Sequence, residues 1–156
     1  MKQLNLVIGL SLSALSSTAP ARNAAVEIVP QQFIAAFNRG DVAAAGATMT
    51  GDVVITDEVA PFHWQGLGAF VAWTAALTSA SNAQHISGGK VMLGAPSREI
   101  VTADHAYLIA PAVYSFRQNG VAKAEVAQMT FALDRLPMGW RIAAWTWTGP
   151  EPSTVK

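Results

Sequence analysis

Asn119-Gly120 lies between two long runs in which apolar and polar residues alternate, and no other feature restricts the fold of this chain as strongly. Asn-Gly supplies the positive φ values of a tight hairpin turn, whose twist matches that of two antiparallel strands. Ala106 to Phe116 and Val121 to Leu133 are therefore read as the arms of one hairpin. A third alternating run, Trp140 to Thr148, follows the turn residues Leu136-Pro137-Met138-Gly139, so the last three strands form an antiparallel meander. Ile86 to Leu93 and Ser97 to Val101 read as two further strands, set apart by Gly94-Ala95-Pro96 and Ala103-Asp104. Gly88-Gly89 and Pro111 fall inside long strands, where such residues favour bulges and bends, so the sheet is expected to curl strongly.

The first half has a different period. Val26, Val29, Phe33, Ile34 and Phe37 recur at three- and four-residue spacing, which predicts an amphipathic helix with Pro30 near its first turn. Gly40 ends it, and Asp41 caps a short alanine-rich second helix, Val42 to Met49. Thr50-Gly51-Asp52 breaks the pattern before a brief β-branched strand, Val53 to Asp57. Pro61 to Gly66 reads as a loop, Leu67 to Leu77 as a third helix with Phe70, Trp73 and Leu77 along one side, and Thr78 to Gln84 as a polar connection. Helices first and strands last define an α+β domain, its helices packed on a strongly curved antiparallel sheet.

Composition narrows the function classes. With 51% hydrophobic and 13% charged residues, the chain has ample apolar surface for one core and is the opposite of a disordered sequence. A formal net charge of zero and no cluster of Lys or Arg exclude a phosphate-tracking surface, and with it nucleic acid as a partner. The absence of cysteine removes thiolate nucleophiles, disulfides, zinc–thiolate sites and the lipid-attachment site of a lipoprotein. Met1-Lys2-Gln3, the apolar run Leu4 to Leu15 and the small residues of Ala19-Pro20-Ala21 have the layout of a secretory signal peptide. The run is shorter than the roughly 20 apolar residues a membrane span needs. The expected division is a signal peptide over 1–21, a domain over 22–149 and a frayed tail over 150–156, in an exported protein, periplasmic or secreted, without a membrane anchor.

The junction Phe33-Ile34-Ala35-Ala36-Phe37-Asn38-Arg39-Gly40-Asp41, the middle segment Thr56-Asp57-Glu58 through Phe62-His63-Trp64-Gln65-Gly66, and the closing Gly139-Trp140-Arg141-Ile142 resemble the nuclear transport factor 2-like superfamily. The resemblance is to its SnoaL-like and ketosteroid isomerase-like branch. It implies a cone-shaped, cystatin-like α+β barrel, and it leaves activity open, because such folds serve isomerases, cyclases, dehydratases and non-catalytic proteins alike. The sequence departs from the steroid isomerases in its first helix, where Phe33 and Phe37 stand in place of a second carboxylate or tyrosine.

Asp57 is the first candidate for chemistry. Strand alternation puts Val53, Ile55 and Asp57 on one face and Val54, Thr56 and Glu58 on the other, so only one of the two adjacent acids is expected to point inward. If that face is the pocket face, the resemblance gives Asp57 the role of proton-abstracting base, and apolar surroundings would raise its pKa usefully. The alternative is that both acids cap a strand end in solvent. His63 is a second candidate acid, base or donor, beside Phe62 and Trp64, whose rings would either bind a ligand or plug the cone. Trp64, Trp73, Tyr114, Gln128 and Trp145 are candidate ligand-binding residues: Tyr114 shares a face with Leu108, Ala110 and Ala112, Gln128 with Val126 and Thr130, and Trp145 with Arg141 and Trp147. A tyrosine hydroxyl, a Gln amide or an indole N–H would suit a developing oxyanion, although aromatic pairs on strands more often serve packing. His63, His85 and His105 lie far apart without ligand spacing, so neither metal nor cofactor is expected.

Two function classes follow. One is a module that binds a small apolar or ring-shaped ligand; the other is a cofactor-free lyase or isomerase that uses Asp57 on a small carbonyl compound. A homodimeric scaffold with a filled cone is a third possibility, and a homodimer through the exposed sheet face is expected in any of them. The lining of the cone separates the first two. Asp57 in an open apolar cavity with a donor in reach favours the enzyme, and a solvent-facing Asp57 beside a plug of Trp64 opposes it.

Overall fold

The structure, a computed structural model, describes residues 23–150 and 153–155. The expected signal peptide, 1–21, lies outside the described residues. Helix α1 spans Ala24–Arg39, α2 Val42–Gly46 and α3 Ala69–Ala83; the strands are β1 Met49–Thr56, β2 His63–Gln65, β3 Ile86–Leu93, β4 Arg98–Val101, β5 His105–Gln118, β6 Val121–Leu136, β7 Gly139–Thr148 and β8 Ser153–Thr154. Among the described residues no helix is long and apolar enough to cross a membrane.

α1 forms where the apolar residues recur, and it buries Val26, Val29, Pro30, Phe33, Ile34 and Ala36. The side chain of Asn23 accepts from the amide of Ala25 at its start, and Gly40 ends it at φ 72°, a left-handed conformation that costs glycine nothing. Asn38 then ties the helix to the sheet: its Nδ2 donates to the carbonyl of Val91 at 2.7 Å while its Oδ1 accepts from the Val91 amide at 2.8 Å. The second helix is shorter than its alanine run predicts. It ends at Gly46, and Met49 instead begins β1, where it pairs with Ile142 of β7 and is buried.

α3 differs from expectation at both ends. Positive φ at Gly66 and Gly68 delays its start to Ala69, leaving Leu67 exposed. It then runs through the polar stretch read as a connection, because its alanines favour helix, and Thr78 satisfies its hydroxyl on the carbonyl of Thr74.

The sheet order is β2-β1-β7-β6-β5-β3, with β4 sharing an edge of β5 with β3 and β8 lying against β6. The pairs are antiparallel apart from β1 and β7, which run parallel. The sheet is curved and unclosed, so the cone is an open trough rather than a complete barrel. The β5–β6 hairpin turns at Asn119-Gly120, both at positive φ, and its register holds from His105–Asp134 to Gln118–Val121.

Bulges lie between Ser87 and Lys90 of β3, and in β7 opposite Ala132 and Leu133 of β6. The second changes which side chains face inward. Ala132 pairs with Ala144 and Leu133 with Ile142, so Ala143 is the extra residue, and Ile142 and Trp145 are both buried. Arg141, expected on the face of Trp145 and Trp147, is therefore out of that row, and its Nη1 bonds the carbonyl of Trp140. The tail expected to fray carries β8, which pairs with Lys123 and Ala124. The core lies between the helices and the concave face of the sheet, with Phe33, Ile55, Leu108, Phe131, Leu133 and Ile142 almost wholly buried. Each such side chain contributes about 1.5–3 kcal/mol on removal from water.

Candidate functional site

The last residue of β1 is Thr56, and the chain then folds back on itself, the amide of Asp57 donating to the carbonyl of Phe62 and that of Phe62 to the carbonyl of Val59. Asp57 continues the inward row of Val53 and Ile55, as alternation predicts, and enters a cavity between α1, α3 and the sheet. Phe33, Ile34, Phe37, Trp73, Leu77, Val91, Met129, Trp145 and Trp147 give it apolar walls, and its empty volume is about 490 Å³ including the mouth. The aromatic walls are braced against one another: Trp73 stacks on Phe70 and meets Trp145 edge-on at 4.8 Å, and Trp145 packs on Phe33 at 5.7 Å.

Both acids line this cavity, which corrects the expectation that only one would. Glu58 lies beyond the end of β1, where the alternation of a strand no longer applies. Trp73 Nε1 donates to Asp57 Oδ2 at 2.8 Å and the amide of Val59 to Asp57 Oδ1 at 3.3 Å. Burial pushes the Asp57 carboxyl above the usual range, and these donors, with the amide of Glu58, pull against that rise.

Glu58, exposed at the mouth, also borders a second, outer cleft. The two compartments have Glu58, Val59, Leu77 and Tyr114 in common. In the outer cleft Glu58 meets Glu125, a β6 residue only 1% exposed. Trp147 Nε1 donates to Glu125 Oε1 at 2.6 Å, while Oε2 is buried without a partner. Desolvation, followed by the charges of Glu125 and Asp57, holds the pKa of Glu58 up at about 7. Two carboxylates this close do not both ionise readily, so near neutrality the pair retains a proton. Burial also raises the Tyr114 hydroxyl, reinforced by Glu125, Asp57 and Glu58.

Two glycines make this packing possible. A Cβ on Gly149 would stand 2.0 Å from Glu125 Oε1, and one on Gly89 would stand 2.4 Å from the hydroxyl oxygen of Tyr114.

Of the residues singled out from the sequence, Asp57, Trp73, Tyr114 and Trp145 come together in the inner cavity. His63 does not; it is exposed on β2 opposite Thr56, outside both compartments. Trp64 pairs with Ile55 and is buried in the core, so it neither plugs nor lines the cavity. Gln128 faces outward, because the inward row of β6 is Glu125, Ala127, Met129, Phe131 and Leu133. The residue that sequence reading missed is Glu125. Alternation with Ala127 and Met129 marks it, since one acid interrupts an otherwise apolar buried row. Among the described residues no group of three His, Cys, Asp or Glu side chains is placed to hold a metal ion.

Residues 31–107 match the SnoaL-like domain family. No curated protein sequence matches the chain. Among solved structures it is similar to a ketosteroid isomerase-like protein from Erwinia carotovora atroseptica SCRI1043 (22% identity, 83% of this chain and 96% of that one, TM-score 0.62). It is also similar to a hexachlorocyclohexane dehydrochlorinase, type 2 (14% identity, 85% and 88% covered, TM-score 0.68). A third is an NTF2-like protein with a cystatin-like fold from Novosphingobium aromaticivorans (19% identity, 78% and 77% covered, TM-score 0.65). At these identities the likeness is one of fold. Residues 31–107 are thus similar to the SnoaL-like domain family, and the chain shares the fold of these NTF2-like and ketosteroid isomerase-like structures.

Proposed function

We propose that this protein binds a small, largely apolar molecule in the inner cavity and moves a proton on it, as a cofactor-free lyase or isomerase with Asp57 as the base. The observation that carries this reading is a carboxylate on the wall of an apolar, aromatic chamber, its pKa raised by burial. That is the condition under which a carboxylate becomes a competent base near neutrality. Trp145, on the chamber wall, has its Nε1 buried without an acceptor, which a ligand oxygen would supply. Similarity of fold to a dehydrochlorinase and to a ketosteroid isomerase-like protein supports chemistry that begins with proton abstraction.

The test is exchange of the α-protons of cyclic ketones, followed by proton NMR in deuterated buffer. The native protein is expected to accelerate exchange of at least one such ketone, and Asp57→Asn to abolish it while its melting temperature stays within about 2 °C. A ketone that shifts the melting temperature of both proteins while its exchange is accelerated by neither would leave binding alone. That second reading has one observation in its favour, the donors already engaging Asp57, which lower its basicity.

The same reading extends to two properties outside the site. Export with cleavage before Arg22 is supported by the layout of 1–21, and sequencing the N-terminus of the protein recovered from the periplasm or medium tests it. A homodimer through the outer sheet face is supported by the exposed Met92, Ile100, Tyr107 and Val126 on it; light scattering of Val126→Asp beside the native protein tests that.

A further inference from the structure

The carboxylates of this site have no basic counterpart. Among the described residues no Lys, Arg or His lines the inner cavity, and the one cation bordering the outer cleft, Lys123, donates its Nζ to Gln118 Oε1. Three acids, Asp57, Glu58 and Glu125, converge on the neck where the two compartments meet. Burying negative charge without a partner is costly, and a protein relieves it by holding a proton or by binding a cation. Glu125 is 1% exposed, and its Oε2 has no hydrogen-bond partner although it borders the cleft. Its position is fixed by Trp147 on one side and by the backbone of Gly149 on the other. The neck is walled by aromatic rings, Tyr114 and Trp147 standing nearly perpendicular with centroids 6.4 Å apart. Ring faces attract cations, most strongly in the absence of water. Among the described residues no group of three His, Cys, Asp or Glu side chains is placed to hold a metal ion, so the complement is an organic cation rather than a bare metal ion.

We propose that the neck between the two compartments recognises an ammonium group, so that the ligand is a small amine or quaternary ammonium compound whose nitrogen lies between Glu58 and Glu125 against Tyr114 and Trp147 and whose apolar part fills the inner cavity. This names a ligand class for the site proposed above, and it holds whether or not Asp57 turns that ligand over.

Binding is coupled to pH. The groups facing Glu58 are Glu125 from β6, Asp57 from its own loop and Tyr114 from β5, with Lys123 further out in the cleft. An ammonium ligand favours the ionised pair and displaces its proton. Affinity therefore rises as pH increases through the titration of Glu58 and levels off above it.

The probes are benzyltrimethylammonium and its uncharged carbon isostere, neopentylbenzene, with binding read by indole fluorescence on the full chain. The cation is expected to bind about tenfold or more tightly than the isostere at about pH 8, and to lose most of that advantage by about pH 5. Glu58→Gln, at the exposed mouth, and Glu125→Gln, which keeps an acceptor for Trp147, are each expected to remove most of the preference while leaving neopentylbenzene within about twofold. Should Glu125→Gln fail to fold, Glu58→Gln carries the test alone. Equal binding of the two probes, binding of neither, or a preference that survives Glu58→Gln would overturn the proposal. The readout needs no turnover, so failed ketone exchange would count against the base and leave this result untouched.

Discussion

The inner cavity and the outer cleft have four residues in common, yet they treat carboxylates in opposite ways. In the inner cavity Asp57 is provided for, with an indole N–H at 2.8 Å and a backbone amide at 3.3 Å on its two oxygens. At the cleft, Glu125 has one indole donor on one oxygen and none on the other, and its remaining neighbour is another acid. Asp57 is aimed by its donors while burial raises its pKa; Glu58, facing a second acid, keeps a proton in reserve. The first arrangement suits a base, and the second suits a site that waits for a positive partner.

The largest effect should come from the wall of the inner cavity. Trp145 is 2% exposed and packs on Phe33 and Trp73, so Trp145→Ala should cost about 3–5 kcal/mol in urea unfolding. Phe62, at the outer cleft and 59% exposed, should lose less than about 0.5 kcal/mol when truncated to Ala. Similar losses at both positions would erase the contrast between a packed chamber and an open cleft.

A smaller effect is expected at Gly149. Its added Cβ would meet Glu125 Oε1 and the Cβ of Ala127, so Gly149→Ala should destabilise by about 1–3 kcal/mol. Most of that loss should disappear when Glu125 is also Ala, giving a coupling that a double-mutant cycle reads directly. An additive cycle would mean that Gly149 does not hold Glu125 in place.

The smallest effect is in pH dependence. Glu58 titrates at about 7 in the folded chain against 4.5 in the unfolded one. Its folded state therefore binds more protons between those values, and stability falls as pH rises through them and levels off above about 7. Glu125→Gln removes the like charge, so its melting temperature at about pH 8 should exceed that of the native protein by about 2–4 °C, with little difference at about pH 4. A native protein whose stability is flat over this range would show that Glu58 and Glu125 do not share a proton.

Much of the fold was legible from local pattern. The three- and four-residue spacing of Val26 to Phe37, Gly40 as its stop, Asn119-Gly120 and the alternating arms beside it all act over a few residues, and all appear as read. Alternation also carried Asp57 to the right face and Tyr114 with it. It failed where a strand ends or slips. Glu58 stands just past β1, and the extra residue at Ala143 moves Arg141 out of the row of Trp145. Gln128 was misplaced because the β6 row was judged from Val126 and Thr130 rather than from the apolar row one residue out of phase.

The sequence by itself therefore determined the helix–strand order, the hairpin, the curl of the sheet and one inward acid, since propensity, turn chemistry and period are properties of neighbouring residues. Only the tertiary structure decided that Glu58 meets Glu125 across 67 positions of chain (125 − 58 = 67), that Trp73 and Trp147 each serve a carboxylate, and that His63 and Trp64 serve neither compartment. Those pairings depend on where the sheet bends and which backbone comes close enough to need a glycine, and contacts between residues so far apart leave no period in the sequence to read.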